Sequence, residues 1–351
     1  MFGPDLAGIL YLSTWIEKLL TIVTSIDPND KFGSSGASQG RFIRGASPLS
    51  YTIAFENLAS ASAPAQAVVI SDELDIQSLD PRTLTLGLVR FGNRAVEALL
   101  RPNEFNSSVS EFKGDDDLRP HKDLIVRIEV DLQNDTGQVS WRLTALDPST
   151  HEPPEDPLIG FLPPNRNPPE GEGSVTFAVW PRADIKTGTQ ICNTAQIVFD
   201  ANDPITACAP GQKNVPECPG WCNTIDADPP ASSVVAVLVD GTCPPEIDLS
   251  WSGEDQAVGA GVRDFDLFVS VDGGEVVRIL QNTLDTSSVY QASPGHSYAF
   301  YTRSHDNVGN YEDAPTEPDA IVITRIPADL TNDETVDVAD WAALLQCAGQ
   351  A

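Results

Sequence analysis

The feature that most constrains this chain is the regular alternation of apolar and polar side chains. Residues 124–133 place an apolar side chain at every second position, residues 134–137 (Asn-Asp-Thr-Gly) have the composition of a turn, and the alternation resumes at Val139. A period of two is that of a β-strand with one face on a core, so the stretch predicts an antiparallel hairpin. Trp141 falls in its inward register, which favours a core position over the alternative of an exposed ring stacked on a sugar.

Similar runs recur along most of the chain, so the sequence predicts an all-β protein. The stretch 190–206 predicts the closing strand of a first β-sandwich. Between residues 231 and 325, about seven short runs have the number and size typical of a second, immunoglobulin-like sandwich. The expected fold is therefore two tandem β-sandwich domains with short helical N- and C-terminal segments. Strand residues chosen for the second domain include Val235, Val237, Ile321 and Ile323.

Charge limits the partners of the chain. Its 351 residues include 51 acidic and 21 basic side chains, a formal net charge of −30. Phosphate would be repelled along most of such a surface, so nucleic acid is excluded as a partner, whereas solubility and divalent cations are favoured. Residues 1–25 predict a helix that is too short and too interrupted by polar residues to span a bilayer. That segment also lacks the basic start and cleavage site of a signal peptide.

Five of the six cysteines lie close together and predict local disulfides. They are Cys192, Cys208, Cys218, Cys222 and Cys243, and the sixth is Cys347. Disulfides indicate an oxidising, extracytoplasmic setting, although the sequence does not give their connectivity. A zinc site at Cys218-Pro-Gly-Trp-Cys222 is the alternative, but neither a second short-spaced pair nor a nearby histidine completes it.

No catalytic constellation stands out. Gly36-Ala-Ser-Gln-Gly40 matches the nucleophile-elbow pattern, but a polar segment precedes Ser38 and no helical pattern follows it, so a loop is expected. Asp115-Asp-Asp117 is expected in a solvated turn, with calcium as the alternative. The four histidines are scattered without the spacing of a metal site or a triad: His121, His151, His296 and His305. The chain is therefore expected to be non-catalytic.

The most specific chemical motif lies near the C-terminus. Oxygen-bearing residues recur at loop positions 1, 3, 5, 9 and 12, and position 7 would contribute its backbone carbonyl. This spacing wraps a loop round one Ca²⁺ ion and ends on a helix, whose Trp341 is expected to pack inward. The alternative is an acidic helix cap without an ion. The predicted ligands are Asp329, Thr331, Asp333, Thr335, Asp337 and Asp340.

Three stretches resemble known modules. Residues 27–206 resemble an uncharacterised immunoglobulin-like repeat of bacterial secreted and surface proteins, through motifs that include Asp27-Pro-Asn-Asp-Lys31, Tyr51-Thr-Ile-Ala-Phe-Glu-Asn57 and Ile197-Val-Phe-Asp200. Residues 231–325 resemble a bacterial fibronectin type III module through Leu249-Ser-Trp-Ser-Gly253 and Ser304-His-Asp-Asn-Val-Gly-Asn310. Residues 326–351 resemble one half of a dockerin type I repeat, and dockerins use two halves to bind cohesin.

These resemblances imply extracellular, non-catalytic architecture. The expected order is a helical segment at 1–26, the first sandwich at 27–206, a Cys- and Pro-rich hinge at 207–230, the second sandwich at 231–325 and a calcium-binding tail at 326–351. The expected function is a structural or adhesive part of a secreted or cell-surface bacterial protein, with surface glycans or other surface proteins as partners. The alternative is an accessory region of a polysaccharide-degrading enzyme. A cohesin partner is not expected from a single half repeat.

Overall fold

The computed structural model describes residues 29–97, 109–210, 220–239, 244–324 and 337–342, together with Cys218 and Thr242. Strands dominate these residues, which confirms the all-β fold class. Their bounds, in chain order, are β1 (Lys31–Phe32), β2 (Phe42–Arg44), β3 (Leu49–Glu56), β4 (Ala67–Glu73), β5 (Leu79–Phe91), β6 (Arg94–Glu97), β7 (Val109–Asp117), β8 (Ile125–Gln133), β9 (Gln138–Leu146), β10 (Glu172–Pro181), β11 (Gln190–Asn193), β12 (Ala195–Phe199), β13 (Ile205–Ala207), β14 (Trp221–Asp226), β15 (Ala231–Val239), β16 (Glu246–Glu254), β17 (Val262–Val271), β18 (Val277–Thr283), β19 (Ser287–Gln291), β20 (Ser297–Asp306) and β21 (Ala320–Ile323).

Two compact units make up the chain. Unit 1 comprises residues 1–36, 45–185 and 189–225, and unit 2 comprises residues 37–44, 186–188 and 226–351. The predicted N-terminal helix at residues 1–25 lies outside the described residues. Within the described part of the chain, no helix has the length and apolar character needed to cross a membrane.

Unit 1 is a sandwich of two antiparallel sheets. One sheet has the strand order β1-β3-β10-β5-β6, and the other has the order β13-β12-β4-β9-β8-β7. The predicted hairpin is confirmed: β8 pairs with β9, and Val130 lies opposite Trp141. Trp141 is fully buried, which rules out the sugar-stacking interpretation. Its ring packs 5.3 Å from that of Phe177 on β10, so side chains from both sheets meet in this core.

The stretch 190–206 differs from the predicted single strand. It contains β11, a break at Thr194, and β12, which pairs with β4 on one side and β13 on the other. Strand β11 instead pairs with β14, which belongs to the segment assigned to a hinge from the sequence. Alternation predicts the buried residues correctly here, but it carries no information about which partner each strand takes.

Two disulfides lie in this part of unit 1. They join Cys192 to Cys222 and Cys208 to Cys218, so the prediction of local disulfides is confirmed. The zinc interpretation is wrong for Cys218 and Cys222, because each is bonded to a different cysteine. Cys243 and Cys347 lie outside the described residues.

The acidic run 115–117 is in strand β7 and not in the predicted turn. Each carboxylate faces an arginine, with Asp115 bound to Arg127 on β8 and Asp117 bound to Arg119. The middle residue, Asp116, contacts Arg94 on β6. These arginines neutralise the run, and this explains how three acidic residues in succession occupy a strand.

Unit 2 is a sandwich of three and four strands. Its sheets have the orders β15-β16-β19 and β18-β17-β20-β21, which matches the predicted number of strands. Trp251, Leu267 and Phe300 are among the buried side chains of its core.

In two strands of unit 2, the residues named from the sequence as strand positions face outward. In β15 the core residue is Val234, and in β21 it is Val322. The residues chosen from the sequence are more than half exposed: Val235, Val237, Ile321 and Ile323. Consecutive apolar residues remove the alternation by which an inward face is recognised.

Candidate functional site

Three aspartates at the ends of strands converge in unit 2. Asp226 ends β14, Asp255 follows β16 and Asp306 ends β20, and one carboxylate oxygen from each lies within 4.8 Å of the others. Asp226 and Asp306 are buried, and Asp255 is half-buried. We call these residues the acidic cluster.

Backbone amides hold the acidic cluster in place. Ala260 N–H donates to Asp226 Oδ2 at 2.7 Å, and Gly261 N–H donates to Asp255 Oδ2 at 2.7 Å. The amide N–H groups of Val308 and Asn310 both donate to Asp306 Oδ1. The loops after β16 and β20 therefore wrap round the three carboxylates.

Crowding changes the acidity of the acidic cluster. Burial is the main reason that the pKa of Asp226 is raised to about 6; the negative charges of Asp255 and Asp306 also raise it, and hydrogen bonds from Ala260 and Thr187 lower it. Carboxylate oxygens at such spacing are the type of ligand that Ca²⁺ takes, and an ion would compete with this proton. The acidic cluster is not apparent in the sequence, because its members are far apart in the chain.

The predicted calcium loop lies mostly outside the described residues, and only Asp337 and Asp340 fall within them. Asp337 Oδ1 accepts from Ala339 N–H, and Asp340 Oδ2 accepts from Asp337 N–H, each at 2.7 Å. This reciprocal pattern caps the helical turn at 338–342. An acidic helix cap without an ion is the alternative that the sequence left open. Calcium binding by the loop stays a prediction. Trp341 is 63 % exposed, so the expectation that it packs inward is wrong.

The other sequence candidates do not come together. Ser38 is exposed in a tight turn with φ of 56°, and strand β2 follows it where a nucleophile elbow has a helix. His296 is bound to Asp272, and His305 is bound to Asp264.

A second polar group lies deep in the core of unit 1. Lys31 on β1 and Asp72 on β4 have fully buried side chains, and Lys31 Nζ contacts Asp72 Oδ2 directly. The same Nζ lies 3.4 Å from the backbone oxygen of Thr194, which it can reach as a donor. Lys31 thus bridges the two sheets of the sandwich.

Aromatic rings surround the Lys31 amine. Nζ lies 4.8 Å from the ring centre of Tyr51 and 5.6 Å from that of Phe177. Burial lowers the pKa of Lys31 and raises that of Asp72, although their mutual attraction opposes both shifts. The pair is therefore displaced towards a neutral amine and a neutral carboxylic acid.

Asn193 completes this group. It ends β11 and is only 4 % exposed, and its amide is close enough to Asp72 to help lower the pKa of that carboxyl. Neither its Oδ1 nor its Nδ2 makes a hydrogen bond of normal geometry among the described residues. Lys31, Asp72 and Asn193 together form the buried lysine cluster.

A sequence signal for this cluster existed. Asp72 follows Val68 and Ile70 in the inward register of β4, and Asn193 follows Ile191 in that of β11. A polar residue at a core position indicates either a satisfied network or a functional group.

Comparisons with solved structures show only remote likeness. The C-terminal domain of the AgI/II polypeptide BspA from Streptococcus agalactiae is 11% identical, with 81% of this chain and 97% of that chain covered and a TM-score of 0.36. Domains D2 and D3 of the major pilin SpaD from Corynebacterium diphtheriae are 12% identical, with 89% and 94% covered and a TM-score of 0.29. The collagen-binding domain from a Staphylococcus aureus adhesin is 10% identical, with 57% and 99% covered and a TM-score of 0.28.

No curated protein sequence matches the chain significantly. A family model matches part of unit 1, over ranges that include all three residues of the buried lysine cluster. Residues 27–92 and 159–208 are similar to a domain of unknown function (DUF7619).

Proposed function

We propose that this chain is a non-catalytic structural or adhesive part of a secreted or cell-surface bacterial protein. The observation that carries the proposal is that both sandwiches fill their interiors with large apolar side chains, among them Trp141 in unit 1 and Phe300 in unit 2. A protein whose inward positions are used in this way is suited to forming rigid modules. The two disulfides support an oxidising location, because such bonds persist outside the cytosol.

The finer assignment treats unit 1 as immunoglobulin-like and unit 2 as fibronectin type III-like. Support for the second comes from its three-plus-four strand arrangement, in which β17 pairs with β20 and β16 pairs with β15 and β19. Surface glycans or other surface proteins are the proposed partners.

Immunogold labelling tests the location. Antibodies raised against the purified chain are expected to label intact, unpermeabilised cells or to detect the protein in culture supernatant. Signal confined to permeabilised cells would contradict the proposal. Hydrolysis of soluble polysaccharides by the purified chain would contradict its non-catalytic part.

We further propose that the tail binds Ca²⁺ through Asp329, Thr331, Asp333, Thr335, Asp337 and Asp340. The spacing of these oxygen-bearing residues supports it. Calorimetric titration of the full chain with Ca²⁺ is expected to give a saturable heat that Asp329→Ala with Asp333→Ala abolishes. The control is Asp255→Asn, which alters the acidic cluster and leaves the tail intact. A heat that survives the tail variant but disappears in the control would assign binding to the acidic cluster and overturn the tail proposal.

A further inference from the structure

We propose that Lys31 and Asn193 form an intramolecular isopeptide bond, from Lys31 Nζ to Asn193 Cγ, and that Asp72 promotes its formation. The bond would link β1 covalently to the end of β11, the strand that runs directly into β12. It goes beyond the proposed structural role, because a rigid surface module does not require it.

Convergence of the three groups is the first observation. Nζ touches the Asp72 carboxyl and lies 3.4 Å from the backbone oxygen of Thr194, the residue after Asn193. The Asn193 amide interacts with the same carboxyl. Asp72 touches the amine and lies opposite Ala195, two residues after Asn193, in the β4–β12 ladder, so a proton-transfer group stands beside both reactants.

Burial supplies the protonation states that the reaction requires. An ammonium ion cannot attack a carbonyl, whereas a neutral amine can, and burial shifts Lys31 towards the neutral form. The same burial favours a protonated Asp72. The rings of Tyr51 and Phe177 keep water away from the amine.

Asn193 is held in place by its surroundings. Strand β11 pairs with β14, and the adjacent Cys192 is bonded to Cys222 across that pair. Gly220 packs directly on the Asn193 backbone, since a Cβ at Gly220 would lie 2.3 Å from the Asn193 oxygen. Fixed reactants with high effective concentration let an unactivated amide react, which would not occur between free side chains.

The reaction is balanced without any further reactant. Protonated Asp72 donates to Asn193 Oδ1 while the Lys31 lone pair attacks Cγ, and the Nζ–Cγ bond forms as the carbonyl becomes a tetrahedral centre. Asp72 then accepts one proton from Nζ and passes it to Asn193 Nδ2, which leaves as ammonia when the Cγ–Nδ2 bond breaks. The carbonyl reforms and returns its proton to Asp72. One amide replaces another, and no atom is oxidised or reduced.

A bond between Lys31 and Asp72 is the competing outcome. It would release water, and it would consume as electrophile the carboxyl that transfers protons in the other reaction. In the structure the buried Asn193 amide makes no hydrogen bond of normal geometry among the described residues, and a Lys31–Asp72 bond would give that amide no role. We therefore favour Asn193 as the partner.

Mass spectrometry of the full chain tests the proposal directly. Protein purified in its folded state is then denatured and its disulfides are reduced. Its mass is expected to be lower than the sequence mass by the mass of one ammonia molecule. Protease digestion is expected to yield one branched peptide that contains Lys31 and Asn193. An unmodified mass would overturn the proposal, and so would loss of water that maps to Lys31 and Asp72.

Point variants test which residues the proposed bond requires. Lys31→Met, Asn193→Ala and Asp72→Asn are each expected to restore the full sequence mass. Lys113→Met is the matched control, because Lys113 is an exposed lysine paired with Glu129 and should keep the ammonia deficit. Persistence of the deficit and branched peptide in Asn193→Ala would contradict the assignment. If a variant fails to fold, the wild-type mass and branched peptide still decide the question.

Discussion

Trp141 illustrates how single residues close the core of unit 1. It comes from one sheet, is fully buried and packs 5.3 Å from Phe177 of the other sheet. Burying an aromatic ring of this size contributes more than any surface contact of the same strand. The nearby Lys31 amine is tolerated because rings and a carboxyl surround it.

Replacing Trp141 tests how much its buried ring contributes to the free energy of unfolding. Trp141→Ala is expected to lower the free energy of unfolding by about 3 to 5 kcal/mol, because it removes buried surface and leaves a cavity. Trp180 is the control, since it is 38 % exposed in the same unit. Trp180→Ala should cost roughly 1 kcal/mol or less in the same denaturant titration. Equal losses for the two variants would contradict the assigned core.

Asp226 should make stability depend on pH. Folding raises its pKa from an ordinary value near 4 to about 6, so between these values the folded state holds a proton that the unfolded state has released. Its stabilising contribution is therefore full below pH 4 and is lost as the pH rises through 6. The charged groups that face it are Asp255 and Asp306.

Asp226→Asn keeps this side chain neutral at every pH. In buffer with EDTA, its Tm relative to wild type is expected to rise between pH 4 and pH 7. The control Asp228→Asn changes an exposed carboxylate two residues away and should follow the wild-type profile. A Tm difference that does not change with pH would contradict the explanation.

Among the elements, the β8–β9 hairpin depends on one glycine. Gly137 has φ of 76°, and a Cβ there would lie 2.6 Å from the oxygen of Leu74 and 2.5 Å from Ile76 Cγ2. The turn therefore excludes other residues both by conformation and by space. This was predictable from the sequence only in part, because Asn-Asp-Thr-Gly indicates the turn but not the segment packed against it.

Comparison of Gly137→Ala with Gly92→Ala should separate the backbone strain from the steric clash. Gly137→Ala is expected to destabilise unit 1 by about 2 to 4 kcal/mol, the sum of backbone strain and overpacking. Gly92→Ala is the matched control, because Gly92 also has a positive φ, of 54°, but its added Cβ would approach Glu170 O only to 3.4 Å. That variant should cost about 1 kcal/mol in thermal unfolding. If Gly92→Ala were the more harmful change, the steric explanation would be wrong.

The sequence shows where strands form, but it does not show which strands pair with each other. Alternation identified β8 and β9 because each presents one face to a core. It located β15 and β21 as strands but could not assign their buried faces, because consecutive apolar residues give no preferred face. The buried lysine cluster escaped detection because it depends on pairing between β4 and β12 and on where β1 joins its sheet. Such contacts between distant residues are absent from any local pattern.

On the scale of the whole molecule, charge is the dominant property. A net charge of −30 spreads over a chain with only 21 basic residues, so carboxylates repel one another across the folded surface. The arginines opposite residues 115–117 relieve this repulsion locally.

Salt should therefore stabilise the protein. Raising NaCl from about 10 mM to about 150 mM shortens the screening length from roughly 30 Å to roughly 8 Å, and Tm at pH 7 is expected to increase. At pH 4 many carboxylates are protonated, so the same change should have a smaller effect. A Tm at pH 7 that falls or stays constant with salt would show that charge repulsion is not a main destabilising influence.

The positions of Lys31 and Asn193 have a mechanical consequence. Lys31 lies on the first strand of unit 1, and Asn193 lies just before β12, after most of the strands of both sheets have been completed. With the proposed bond in place, tension that enters before Lys31 and leaves after Asn193 passes through one amide and bypasses the hydrogen-bonded ladders between them. Pulled by its ends, the part of unit 1 between the two anchors would resist extension until a covalent bond breaks, and the residues within it would bear no load.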